Sequence, residues 1–194
     1  MSDARDSILV AGSANLDFVV RAPHIPAPGE TVLGGEFATY PGGKGANQAV
    51  AAARAGANTQ MLVALGDDAH AAPIEASLRD AGVQLAIVRD ERATGAAFIV
   101  VADNGENAIT VASGANAALR REHLPTLDRV SHLLLQLETP PDVVEACAKA
   151  AQAAGVCTIL NAAPAQSLTE GLLGAIDVLI VNEGELAALT GDGS

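Results

Sequence analysis

The chain has no tryptophan, one tyrosine and three phenylalanines in 194 residues, yet 49% of it is hydrophobic. A core without aromatics has to be built from Ala, Val, Leu and Ile, which suits parallel strands covered by helices. Basic residues are also scarce. Eleven Lys and Arg stand against 23 Asp and Glu, a formal net charge of −12. That balance argues against a nucleic-acid partner, which usually meets a basic face; otherwise it speaks only to solubility.

Cysteine is almost absent. Cys147 and Cys157 share no close metal spacing and read as free thiols in a reducing compartment. The four histidines, His24, His70, His123 and His132, are scattered without a zinc spacing. No serine nucleophile elbow and no catalytic-cysteine signature occurs. Long apolar runs are missing as well: Val178 to Val181 and Leu133 to Leu135 are far too short to span a bilayer. The polar, charged start, Met1 to Ser7, is not a signal peptide. The expectation is a cytoplasmic protein with no membrane partner.

What the chain does have is alternation of strand and helix. Ile8–Ala11, Met61–Leu65, Val83–Val88, Leu133–Leu137, Val156–Leu160 and Val178–Val181 read as buried strands. Helices are expected over Gly45–Ala55, Ala71–Ala81, Pro141–Ala154, Leu168–Leu173 and Glu183–Leu189. Gly56, Gly82 and Gly191 stand where helices stop. Short links between alternating elements mean βαβ units and a doubly wound, mostly parallel sheet with helices on both faces. Two stretches break the pattern. Residues 13–40 hold an extended piece, Phe18–Val20, a proline-punctuated segment and a second piece, Thr31–Tyr40. Residues 95–113 hold two β-rich runs around Asn104-Gly105, a hairpin signal. A small β-sheet lid, inserted into one α/β domain over 1–194, is the simplest assembly.

The most informative run is Pro41-Gly42-Gly43-Lys44-Gly45-Ala46-Asn47-Gln48, opening into an alanine-rich helix. Its glycines permit close backbone approach, and the helix start offers free N–H groups and a positive dipole end. Lys44 and Asn47 add a mobile charge and an amide. It is not a Walker A loop, because Gly45 rather than Ser or Thr follows Lys44, and Gln48 stands where the dinucleotide fingerprint needs glycine. The run is either a structural turn or a surface for a polar, hydroxylated or anionic ligand.

Ligands in such sheets bind at the carboxyl ends of strands. Asn15 and Asp17 lie there, on one side if extended; they would grip sugar hydroxyls or form an Asx turn. Glu138 follows Leu137 as a site carboxylate or as an acid at the start of the Pro140-Pro141 helix. Asn182 suits an N-cap with Glu183 and Glu185 in the first turn, while Asn182 and Glu185 also suit a metal-bound phosphate.

These motifs, with Pro28-Gly29-Glu30-Thr31, Gly66-Asp67-Asp68, Ser113-Gly114-Ala115-Asn116, Gln136-Leu137-Glu138 and Asn161-Ala162-Ala163-Pro164-Ala165, resemble the ribokinase-like (PfkB-type) carbohydrate kinases from Ile8 to Gly191. The resemblance implies transfer of the ATP γ-phosphoryl group to the 5-hydroxyl of D-ribose. It implies a lid that closes over the sugar and contacts a second subunit in a homodimer. Asn15, Asp17, Gly43, Lys44, Gly45, Asn47 and Glu138 would hold the sugar, Asn182 would approach ATP, and Glu185 would orient water on Mg²⁺. A monovalent cation such as K⁺ is expected of full-length members. Two features depart from the family pattern. Val181 stands where a proline usually precedes the Asn. A Gly-Ala-Gly-Asp motif, which carries the general base and anion hole, does not occur in these 194 residues. The expectation is therefore an incomplete domain, inactive by itself, with an unpaired edge at Val178–Val181. A non-catalytic sugar-binding protein and kinases acting on fructose, a nucleoside or a sugar phosphate are the alternatives.

Overall fold

The computed structural model describes residues 5–191. The first four residues, on which the reading of the charged start partly rests, lie outside them. Six strands form an all-parallel sheet: β1 (Ser7–Ala11), β4 (Asn58–Gly66), β5 (Gln84–Asp90), β8 (Val130–Leu135), β9 (Cys157–Asn161) and β10 (Val178–Ile180). Their order is β10-β9-β8-β1-β4-β5. After β1 the chain winds to one side through β4 and β5, then crosses back to β8 and winds the other way. The carboxyl ends of β1 and β8 are therefore neighbours at a topological switch point, where such sheets form a crevice.

Strand alternation sorts the core onto two faces. Leu9, Leu62, Leu133 and Leu135 point to one face and pack on α3 (Pro141–Ala153) through Val143, Val144, Cys147, Ala148 and Ala151. Burial of Cys147 pushes its thiol up to about 11. Val10, Met61, Val63 and Leu65 point to the other face. There they meet Ala46 and Ala49 of α1 (Lys44–Arg54), and Ile74 and Leu78 of α2 (Ala71–Asp80). Small alanines let α1 approach the sheet closely. Gly56 and Gly82, both at positive φ, end α1 and α2 as expected. Two short helices follow, α4 (Glu170–Leu173) and α5 (Glu183–Thr190).

A second sheet of four strands is mixed: β3 (Phe37–Gly42), β2 (Asn15–Ala22), β6 (Gly95–Ala102) and β7 (Asn107–Ala112), in that order. β2 runs parallel to β6, and the outer pairs are antiparallel. The β6–β7 turn has Gly105 at φ 88°, as an Asn-Gly hairpin requires. All three phenylalanines gather on one face. Phe18 stacks on Phe98 and Phe37 at centroid distances of 5.3 and 6.4 Å and meets His70 edge-on at 5.4 Å. The opposite face carries Asp17, Ala97, Ile99, Ile109 and Val111 toward the crevice.

Several boundaries differ from expectation. Thr31–Tyr40 is a strand only from Phe37; before it, Gly35 N–H donates to the Arg21 carbonyl and Arg21 N–H to the Glu36 carbonyl, and the chain then leaves the edge of β2. β8 stops at Leu135, as Leu137 N–H turns to the Ala163 carbonyl outside the ladder. α4 begins at Glu170, where the Thr169 side chain accepts from Leu172 N–H and so caps it. β2 is longer than Phe18–Val20, since it pairs on both sides. β10 pairs only with β9 among the described residues and leaves Val178, Leu179 and Ile180 exposed. No helix among the described residues is long and apolar enough to cross a membrane.

Candidate functional site

Between the two sheets lies a cavity of about 720 Å³. Asn15, Asp17, Gly43, Lys44, Asn47 and Glu138 all line it. They come from three places: the start of β2, the turn into α1, and the segment after β8. The apolar side of the cavity is the inner face of the small sheet, where Ala97 pairs with Val111 and Ile99 with Ile109.

The glycine run does not work as expected. The N–H groups at the start of α1 are not free. Lys44 N–H donates to Glu138 Oε2 at 3.0 Å. Gly45 N–H donates to Ser13 Oγ at 3.3 Å, and Ala46 N–H to the Ser13 carbonyl at 2.9 Å. Glu138 thus caps a helix 94 residues away in sequence, with its charge at the positive dipole end. Ser13, 0% exposed, ties the arrangement together by donating from Oγ to Glu138 Oε2 at 2.6 Å. Gly45 is not on the cavity wall. A Cβ there would sit 2.7 Å from Ser13 N and O, so its small size serves backbone packing. Gly43 has φ 92°, which admits glycine and little else.

The other Glu138 oxygen, Oε1, is 3.7 Å from Lys44 Nζ. The Asp17 carboxylate makes no hydrogen bond among the described residues and is raised from its ordinary value, first by burial and then by the Glu138 charge. A Cβ on Gly42 would lie 2.1 Å from Asp17 Oδ2, so glycine at 42 makes room for this carboxylate. The cavity therefore presents two carboxylates, an ammonium and the amides of Asn15, Asn47 and Gln166 against an apolar wall. That set suits a small polyhydroxylated ligand: hydroxyls donate to carboxylates and accept from ammonium and amide.

Asn182 and Glu185 are not part of this cavity. They stand after β10, two strands from β8, about 10 Å across the sheet at the usual strand spacing. There they cap α5 reciprocally: Glu185 N–H donates to Asn182 Oδ1 at 2.7 Å, and Asn182 N–H to Glu185 Oε2 at 2.8 Å.

Three contributors were not assigned from sequence. Ser13 and Asn116 sit in motifs noted above without a role. The apolar wall of Ile99, Ile109 and Val111 is legible only as alternation within the hairpin.

The cavity, the switch point and the paired sheets agree with what a family comparison finds: a match to the pfkB family carbohydrate kinases over residues 5–193. The chain belongs to the pfkB family. This pfkB-family chain is 40% identical to the ribokinase of Haemophilus influenzae over 193 residues, 96% of this chain and 63% of that protein. It is 39% identical to the ribokinase of Bacillus subtilis over 189 residues, 94% of this chain and 64% of that protein. Among solved structures, Thermotoga maritima ribokinase superposes with a TM-score of 0.89 at 36% identity, covering 96% of this chain and 63% of that one. Arabidopsis thaliana ribokinase complexed with ribose and ATP superposes with a TM-score of 0.84 at 34% identity, again covering 96% and 63%. The pfkB-family chain thus spans 63 and 64% of the length of these two curated relatives.

Proposed function

We propose that this chain is the sugar-binding portion of an ATP-dependent sugar kinase that phosphorylates D-ribose at its 5-hydroxyl. The observation that carries the reading is the convergence of Asn15, Asp17, Lys44, Asn47 and Glu138 on one cavity, with relatives of 40% identity that are ribokinases. Among the described residues Lys44 is the single basic one on the cavity wall, which favours a neutral sugar over a sugar phosphate.

In this reading Asp17 and Glu138 Oε1 accept from sugar hydroxyls. Lys44 and the Asn15 and Asn47 amides donate, and the Gly43 backbone lies against the ring. Gly45 acts from behind, by letting α1 meet Ser13. Phosphoryl transfer rests mostly on positioning and charge neutralisation, and these residues supply the positioning of the acceptor. The small sheet, with segments 13–40 and 95–113, acts as a lid whose apolar face excludes water, and it is the surface that pairs in a homodimer.

The nucleotide side is Asn182, facing the ATP phosphates, and Glu185, facing Mg²⁺ through water. Among the described residues no group of three His, Cys, Asp or Glu could hold a metal alone. Glu185 Oε1 makes no hydrogen bond among the described residues, and one carboxylate with water and phosphate oxygens is a common Mg²⁺ arrangement. Mg²⁺ bound there would neutralise phosphate charge. K⁺ has no residue assigned to it here. The protein works in the cytoplasm.

Calorimetry with D-ribose, paired with an ADP assay on the same sample, tests the reading. Ribose binding is expected, with fructose and nucleosides weaker. The 194 residues taken alone are expected to bind without turnover, since the Gly-Ala-Gly-Asp motif does not occur among them. Absence of ribose binding refutes the sugar site; ribose-dependent ADP formation refutes the inactivity.

A further inference from the structure

We propose that Asn116 is a positioning residue that sets the hydrogen-bonding polarity of the cavity: it holds the Asn15 amide so that its NH₂ group, not its oxygen, meets the ligand. The proposal rests on the sugar reading above.

Asn116 is 1% exposed and lies in the short 3-10 turn Gly114–Ala118, where the chain leaves the small sheet. Its Oδ1 accepts from Ala14 N–H at 3.0 Å. A backbone N–H only donates, so this end of the amide is the oxygen. The other end, Nδ2, donates to the Ala14 carbonyl at 3.2 Å. That carbonyl only accepts, so both contacts demand the same orientation. The same Nδ2 donates to Asn15 Oδ1 at 2.8 Å. The Asn15 oxygen is thereby used, and its Nδ2, which makes no hydrogen bond among the described residues, is the end left for the cavity that Asn15 lines.

Asn15 is 2% exposed, so its amide does not reverse without breaking this contact. The space is made by Gly95, where a Cβ would lie 2.3 Å from both Asn116 Nδ2 and Asn15 Oδ1. Two residues on, Asp17 offers acceptors only. A donor at Asn15 and an acceptor at Asp17 on one strand face match a hydroxyl pair, or one hydroxyl that accepts from the first and donates to the second.

Asn116→Asp is nearly isosteric and removes both donated bonds. Asn15 then turns its NH₂ to the new carboxylate and presents its oxygen to the ligand. Calorimetry with D-ribose and its monodeoxy analogues reads this, with thermal melting on the same samples. In the parent chain one analogue is expected to bind about tenfold or more weakly, having lost the Asn15 bond. In Asn116→Asp ribose itself weakens by about tenfold, and the penalty for that analogue disappears. A folded Asn116→Asp that keeps parental ribose affinity, or the full analogue penalty, overturns the proposal. If Asn116→Asp does not fold, Asn15→Asp replaces it: it still accepts from Asn116, presents an oxygen to the cavity, and must lose the same penalty. Retention of the penalty there also overturns the proposal. If the parent chain binds no ribose, the sugar reading fails, and side-chain amide NMR still decides the positioning. Slow solvent exchange of the Asn116 NH₂ with fast exchange of the Asn15 NH₂ supports it, and the reverse refutes it.

Discussion

Asp17→Asn separates what this site does for a ligand from what it does to the fold. Asp17 is half-buried, its carboxylate makes no hydrogen bond among the described residues, and it faces the Glu138 carboxylate across the cavity. Burial, then the Glu138 charge, raises its pKa above the ordinary 3.8. With the folded pKa raised, the native state holds more protons than the unfolded chain between 3.8 and the higher folded value. Stability therefore falls as pH rises through that window, and above it the ligand-free protein carries the full penalty of a charged Asp17. Asparagine fills the same space without the charge. The variant is expected to melt higher than the parent at neutral pH, and the gap is expected to close as pH falls toward 3.8. Ribose binding moves the other way. A hydrogen bond to a charged group contributes about 1.5–3 kcal/mol, so affinity should fall roughly 10- to 150-fold. Thermal melts across pH, with calorimetry at neutral pH, measure both. A variant that melts lower than the parent at neutral pH, or binds ribose with parental affinity, refutes the reasoning.

Ser13→Ala removes the hydroxyl shared by Glu138 and Gly45 N–H; urea unfolding should show a loss of about 1–2 kcal/mol, and no loss would mean that the cap is not held by this residue. Gly43→Ala forces a Cβ to 2.7 Å from Ala14 Cα at φ 92°; about 1–3 kcal/mol of strain and lost ribose binding are expected, checked by denaturation and calorimetry. Asp68→Ala removes an acceptor for Thr94 N–H, Thr94 Oγ1, His70 N–H and Ala71 N–H. Burial alone would raise the Asp68 pKa, but these bonds outweigh it and hold the carboxyl below 3.8. Its contribution is therefore complete above 3.8 and lost as pH falls through the lower folded value. The variant should lose about 1–2 kcal/mol at neutral pH, allowing for water access; a deficit that persists unchanged in acid would count against this account.

Much of the fold is local and was readable in one dimension. The period of the apolar residues sets strand against helix, so the α/β alternation follows from residues near in sequence. Gly56, Gly82 and Gly105 have positive φ in turns closed by hydrogen bonds to residues three earlier, so these turns are also local. The Asn182–Glu185 box closes within one helical turn, and the N-cap reading of those residues describes what they do.

Tertiary structure decided the rest, because the partners are far apart in the chain. Glu138 reads equally well as a ligand-facing acid or as an ornament of its own helix; in space it caps α1, 94 residues away. Gly45 looks like part of a ligand cradle and is instead a packing contact with Ser13. Asn116 sits in a motif that gives it no role by itself, and its partners Ala14 and Asn15 are about a hundred residues earlier. By itself the sequence determined which elements form and which residue types stand at the strand ends. Only packing determined which donor meets which acceptor, since a hydrogen bond depends on ångström-scale approach of groups that chain order does not bring together.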